Sequence, residues 1–318
     1  MIIKPLRKPL LLKKYEAMLP RLGRNAAVEK EHMKYVRGFE GEKEIDYHLR
    51  QVDEMFTILS DVYLNPPGVQ MDYLVLTQRA IYIVEVKNFT GTITFDLTLD
   101  QLIRHQGGKE TGFKNPLTQA ERQKEQLHTW LESKGLKKIP IYYFIAISDP
   151  ATVIKVNGDG KSLAEIVTHG ENLPRKLMEK ERTIQTEDLI QHRKLGYEIL
   201  RACKEFDLDI MKKHNLSLAD LRRGVACPDC GRLEMWRIHS GWTCPRCNRK
   251  SKEAHSQALA DYFLLVKPSI TNAETRHWLK IQSRSTATRI LQASGLIYNK
   301  TRSRWVMNAS RMRRWNGG

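Results

Sequence analysis

Two Cys-x-x-Cys pairs, Cys227-Pro228-Asp229-Cys230 and Cys244-Pro245-Arg246-Cys247, stand thirteen residues apart. Each such turn brings two thiols together, and four thiolates make the closed tetrahedral site of structural zinc; a redox dithiol is the other use of the motif. A ribbon held by Zn2+ is a module of its own, placed at residues 223–252. Gly231 and Asn248 suit the tight knuckles, and residues 235–238 and 241–243 are expected to form the ribbon's strands. A closed site has no open coordination position, so this zinc is structural rather than catalytic. The fifth cysteine, Cys203, lies in the apolar stretch 200–206 and reads as a small buried residue.

A chain of 318 residues exceeds one ordinary core and suits two or three domains. No window approaches the roughly 20 apolar residues that span a bilayer, and the leucines at 10–12 are too few for a signal peptide, so the expectation is a cytoplasmic protein without a membrane partner. The net charge of +17 is unevenly spread: from Arg223 onward there are 18 Lys and Arg against 5 Asp and Glu, while residues 1–222 carry only +4. Clustered cations release phosphate counterions on contact, so polyanion binding is expected in the C-terminal third; a merely well-solvated basic surface is the alternative.

Residues 1–36 form a basic segment with Pro5, Pro9 and Pro20, expected as an arm and short helix. Ile45, Leu49 and Val52 recur at helical spacing. Residues 71–76 and 80–86 are short β-prone runs separated by Thr77-Gln78-Arg79, the look of a hairpin, with a third strand expected at 92–95. Asn115-Pro116 marks a helix start running to about Ser133, since Asn caps free N–H groups and Pro fits the first turn. The apolar run 141–147 suits a strand buried on both faces, and 151–156 suits another. Residues 166–222 are expected to be a helical connector or closing helices.

The densest chemical signal is Asp72 followed by Glu85-Val86-Lys87. Strand side chains alternate, so Glu85 and Lys87 emerge on one side while Val86 enters the core. Two carboxylates and an ammonium can hold Mg2+ or Mn2+, orient a water and offset charge on a phosphate; the bland alternative is a solvated strand-end ion pair. Glu42 lies on the apolar stripe of its helix, where a carboxylate wants a reason. Gly38 and Gly41 beside it would let that helix approach a neighbouring backbone. Gln119 aligns with Gln123, Gln126 and Trp130, a mixed face suited to border a substrate groove.

Gly38-Phe39-Glu40-Gly41-Glu42, Met71-Asp72-Tyr73-Leu74-Val75-Leu76, Ile83-Val84-Glu85-Val86-Lys87-Asn88 and Asn115-Pro116-Leu117-Thr118-Gln119 resemble, in order, the motifs of the nuclease-related domain, NERD, of the PD-(D/E)xK nuclease superfamily. The resemblance covers roughly residues 37–131. It implies an α/β fold with a mixed-sheet, restriction-endonuclease-like core flanked by helices, here placed at 37–165. It also implies Asp72 and Glu85 as metal ligands, Lys87 as the catalytic lysine, Glu42 as an auxiliary acid and Gln119 as a supporting polar residue. Met71 stands where the superfamily has a proline, which is not a ligand.

Residues 253–318 look like a small winged helix-turn-helix. A capped start at Thr271-Asn272-Ala273-Glu274 leads to a helix, a second helix spans 283–292, and a short hairpin follows. In that arrangement the second helix enters a DNA groove, which makes Arg284 and Arg289, with Arg302 and Arg304 of the hairpin, the expected nucleic-acid contacts; a small helical bundle with basic faces is the alternative. The whole reads as a metal-dependent nuclease acting on DNA and targeted by its C-terminal modules. The competing readings are an inactive DNA-binding adaptor on a nuclease fold and an RNA-directed nuclease.

Overall fold

The computed structural model describes residues 1–52, 54–136, 139–186 and 188–307; the last eleven residues of the expected C-terminal domain, 308–318, lie outside them. The chain forms two compact units, one from residues 1–6 and 36–206, the other from 7–35 and 207 onward. Among the described residues no helix is long and apolar enough to cross a membrane.

The first unit is built on a six-stranded mixed sheet. Numbering elements along the chain, it contains β1 (Ile2–Lys4), β2 (Thr57–Leu64), β3 (Val69–Leu76), β4 (Ile81–Lys87), β8 (Ile141–Ile147) and β10 (Val167–His169), in the order β1-β2-β3-β4-β8-β10. The expected hairpin is present as β3 and β4, paired antiparallel from Tyr73↔Val84 to Leu76↔Ile81. On its other edge β4 runs parallel to β8 through Lys87↔Ile147. One face of the sheet packs Tyr73, Val75, Tyr82, Val84 and Val86 against Ile45 and Leu49 of α2 (Ala26–Leu49) and Leu173 and Leu177 of α5 (Leu173–Thr183). The other packs Leu74, Leu76, Ile81 and Ile83 against Leu127, Trp130 and Leu131 of α3 (Pro116–Ser133) and Leu195 and Ile199 of α6 (His192–Ala202). Both faces are thus helix-covered, which is why these strands read as continuous apolar runs.

The strands expected near 92 and 151 form, but not in this sheet. β5 (Thr92–Asp96), β6 (Gln101–Gln106), β7 (Lys109–Lys114) and β9 (Val153–Asn157) make a separate four-stranded sheet, ordered β7-β6-β5-β9. Ile93, Phe95 and Leu102 of that sheet share a third core cluster with Ala120 of α3 and with Leu163 of α4 (Gly160–Ile166). Within 166–222, where a helical connector or closing helices are expected, the described residues are α-helical in α5, α6 and α7 (Ile210–Lys213). Cys203 is half-buried rather than buried.

In the second unit, the segment expected to be a ribbon has three short strands, β11 (Trp236–Ile238), β12 (Gly241–Thr243) and β13 (Lys250–Ser251), in an antiparallel sheet. Then come α8 (His255–Leu265), β14 (Ser269–Ile270), α9 (Asn272–Leu279), α10 (Arg284–Ala293), β15 (Ile297–Asn299) and β16 (Arg304–Val306), with the last two paired as a hairpin and β14 on its edge. Thr271 and Glu274 make the reciprocal capping box that opens α9. The ribbon is joined to the helices by buried Trp242, whose Nε1 donates to His255 Nδ1 at 3.1 Å. From the other end of the chain, α1 (Leu10–Met18) packs on α8, and buried Arg21 donates to Asp261 Oδ2 at 2.7 and 2.9 Å while lying 4.4 Å over the Trp278 ring.

Candidate active site

The site sits where β3 and β4 part. Their ladder ends at Tyr73↔Val84, and the next β4 N–H facing that edge, that of Val86, donates instead to Asp72 Oδ2 at 2.8 Å. β3 also changes phase here. Tyr73 and Val75 belong to the cluster under α2, whereas Val69 and Met71 belong to the one under α3, so regular alternation breaks at Asp72. β2 shows the same break alongside, with Asp61 at a φ of 46°. The aspartate therefore fills a gap in the sheet instead of lying on a flat face, and its carboxylate takes over a backbone hydrogen bond the ladder has given up.

Glu85 and Lys87 share one side of β4, as alternation requires, with Glu85 2% exposed. A buried carboxylate needs donors, and α3 supplies them. The helix starts at Asn115, whose side chain accepts from Leu117 N at 3.0 Å, with Pro116 in the first turn. From that start, residues 119 and 123 fall one turn apart on a common face. Gln119 Nε2 donates to Glu85 Oε1 at 2.6 Å, and its Oε1 accepts from Lys87 Nζ at 3.1 Å. Lys87 Nζ also reaches Glu85 Oε1 at 2.6 Å, closing a triangle of three side chains. Gln123 Nε2 donates to the other carboxylate oxygen, Oε2, at 2.8 Å. The face expected to border a groove is thus turned inward at these two amides. Gln123 was missed as a site residue, although its signal was its place four residues beyond Gln119.

Glu42 enters from α2. That helix crosses close to the end of β4 because position 41 lacks a side chain: a Cβ on Gly41 would lie 2.8 Å from Asn88 Cβ and 2.8 Å from Ser148 Oγ. Asn88 Nδ2 donates to Arg37 O at 2.8 Å and ties the two segments together. A Cβ on Gly38 would meet nothing within 4 Å, so the close approach rests on Gly41 alone. Burial, then the charges of Asp61 and Glu85, push the Glu42 carboxyl up to about 7, against the pull of Lys4. Burial also pushes Asp72 well above the usual carboxylate range, reinforced by Glu85 and Glu42 and opposed by Lys87 and the Val86 N–H. Glu42, Asp72 and Glu85 crowd together in a poorly hydrated place where Lys87 and Lys4 do not offset the burial, the environment a divalent cation relieves.

Among the described residues, the four thiols are the one set of three or more His, Cys, Asp or Glu ligand atoms all lying within 4.8 Å of one another. The carboxyls therefore form no closed cage. Mg2+ does not need one, since it uses one or two carboxylates and completes its shell with water and substrate phosphate.

The cysteine cluster is built by two matching knuckles. Gly231 N donates to Cys227 O at 2.9 Å and Asn248 N to Cys244 O at 3.0 Å, and both residues have positive φ, 71° and 57°. Each first cysteine's N–H is in turn held at 2.9 Å, Cys227 by Arg232 O and Cys244 by Arg249 O. Sγ pairs 227–247 and 230–244 are 3.5 and 3.6 Å apart, close to the roughly 3.8 Å edge of a tetrahedron with metal–sulfur bonds of about 2.3 Å. The backbone N–H groups of Cys247 and Arg246 hold the Cys244 thiol down to about 7, while the other thiols of the cluster push Cys247 up.

Of the arginines expected to touch nucleic acid, Arg284, Arg289 and Arg302 are exposed and have no carboxylate partner among the described residues. Arg304 differs, lying 3.5 Å from Glu274. Arg237 of the ribbon has its pKa lowered by burial and by the charge of Arg289, which brings ribbon and α10 into one electrostatic neighbourhood.

Residues 37–148 match the family model of the nuclease-related domain, NERD. An uncharacterized protein of Bacillus anthracis is 26% identical over 193 residues, a match spanning 59% of this chain and 86% of that protein. No solved structure matches. The matched domain contains Glu42, Asp72, Glu85, Lys87, Gln119 and Gln123, and it gives this part of the chain a nuclease-related character.

Proposed function

We propose that the chain is a Mg2+- or Mn2+-dependent phosphodiester hydrolase acting on DNA, with its centre at Asp72, Glu85 and Lys87 on a restriction-endonuclease-like core. The observation that carries this reading is the parting of β3 and β4, which sets the Asp72 and Glu85 carboxyls beside Lys87 with more negative charge than the lysine neutralises. Asp72 and Glu85 would hold the cation, which when bound supplies Lewis-acid polarisation of a phosphate oxygen and a more acidic water. Lys87 is oriented by two of its three N–H groups, given to Glu85 and Gln119, and its third can hold the attacking water or a phosphate oxygen. Glu42 adds negative charge from the helix side as an auxiliary acid.

The C-terminal unit serves targeting in this reading. Four thiolates take one Zn2+, and α9, α10 and the β15–β16 hairpin act as a winged helix-turn-helix whose Arg284, Arg289 and Arg302 meet DNA phosphates and bases. Incubating the chain with linear, circular and single-stranded DNA and with RNA, each with Mg2+, Mn2+ or EDTA, tests class and substrate together. Metal-dependent loss of duplex DNA is the expected outcome; loss of RNA alone, or of nothing, sinks it. The Lys87→Ala chain is expected to lose at least about 100-fold in rate, the scale of one electrostatic stabiliser, with its circular dichroism little changed.

A further inference from the structure

We propose that Gln123 is a positioning residue that aims the Glu85 carboxylate at the cation, an inference that rests on the metal-dependent reading above. A carboxylate offers about four lone-pair directions. At Glu85, Oε1 is taken by Lys87 at 2.6 Å and Gln119 at 2.6 Å, and these two alone leave the group free to swing about that oxygen. Gln123 fixes the second oxygen, at 2.8 Å, and is itself fixed: its Nε2 also donates to Gln70 O at 2.9 Å, two residues before Asp72 on β3. One side-chain amide thereby links the carboxylate of β4 to the backbone of the strand that carries the other carboxylate. It does so beyond Tyr73↔Val84, where the ladder no longer ties the strands together.

A purely structural role leaves one fact unexplained. Gln123 is 4% exposed and its Oε1 has no hydrogen-bond partner among the described residues. A buried acceptor left empty is costly, and a water in the shell of a cation held by Glu85 supplies the missing hydrogen. Gln123 thus has one end committed to a ligand and the other open to the ligand's surroundings, the pattern of a residue supporting a metal site.

The test measures metal binding directly on the full-length, zinc-loaded chain, by titrating Mn2+ and counting the free ion by its paramagnetic resonance signal. Gln123→Met keeps the volume and loses both donors; Gln123→Asn keeps an amide that ends one methylene short. Either is expected to weaken Mn2+ binding about 10–100-fold, with the loss in DNA cleavage confined to the half-saturating Mn2+ concentration and largely recovered at saturation. Both variants are checked for fold by circular dichroism, and Asp72→Asn marks which Mn2+ belongs to this site. If a folded variant binds Mn2+ within two-fold of the unaltered chain, or loses turnover at saturating Mn2+ with unchanged affinity, the proposal is overturned while the metal site stands. If the unaltered chain shows no Mn2+ binding sensitive to Asp72→Asn, the metal-dependent reading falls and this proposal with it.

Discussion

Gly38 and Gly41 lie one turn apart on α2 and have opposite meanings. A methyl at 41 collides with Asn88 and Ser148, whereas one at 38 meets open space. Gly41→Ala is therefore expected to destabilise the first unit by about 1–3 kcal/mol, as overpacking does, and Gly38→Ala to stabilise it by about 0.5–1 kcal/mol by relieving the entropy cost of a helical glycine; thermal melts of the two variants check both signs. The Glu42 carboxyl, one residue on, titrates at about 7 rather than 4.5. Between those values the folded chain keeps a proton that the unfolded chain has released. The resulting contribution to stability is complete below about pH 4.5 and is lost as pH rises through about 7. Without metal, the melting temperature is expected to fall from about pH 5 to pH 8 more steeply than in a Glu42→Gln chain, and Mg2+ or Mn2+ is expected to restore it at the alkaline end. The residues of the β4 motif could be read from the sequence because alternation alone puts Glu85 and Lys87 on one side. The setting of Asp72 could not, since the break in alternation between Met71 and Tyr73 arises from how β3 leaves β4; the helical spacing puts Gln123 on the face of Gln119, but its two hydrogen-bond partners lie on strands that only the fold brings to it.

Elements whose determinants are local follow the sequence closely. Asn115-Pro116 opens α3, Thr271 and Glu274 open α9, and Gly231 and Asn248 take the left-handed conformation that each knuckle demands. Elements whose partners are distant do not. β7 reads Lys-Glu-Thr-Gly-Phe-Lys, too polar to signal a strand, and exists because β6 pairs with it. β4 lies beside β8 although some fifty residues and three strands of the second sheet intervene between them. The four-cysteine cluster is the clearest case of local determination, and it carries its own prediction. The purified chain should contain one equivalent of zinc, and Cys230→Ser or a strong chelator should remove it and lower the melting temperature of the second unit, because binding energy at a four-thiolate site is folding energy. Metal analysis with a melt read from tryptophan fluorescence checks this; Trp242 is wholly buried in the ribbon against His255.

At the scale of the whole chain, the basic N-terminal segment is not a free arm. Ile2–Lys4 form the edge strand β1, parallel to β2, and Lys4 Nζ donates to Ser60 O at 2.8 Å, while α1 and Arg21 belong to the core of the second unit. Arg21 is 1% exposed, and removing it leaves Asp261 buried without its partner. Arg21→Ala is expected to cost about 3–5 kcal/mol, the usual penalty for stranding a buried charge, read as a lower denaturant midpoint. The same contact bears on the order in which the molecule can be assembled during synthesis. Leu11, Leu12, Tyr15 and Met18 are translated before nearly all of the first unit, yet α8, on which their helix packs, follows more than two hundred residues later. The first unit has its whole sequence available before then, so the nascent chain carries an apolar helix without its α8 partner while that unit is made. The second unit closes only when α8 reaches α1.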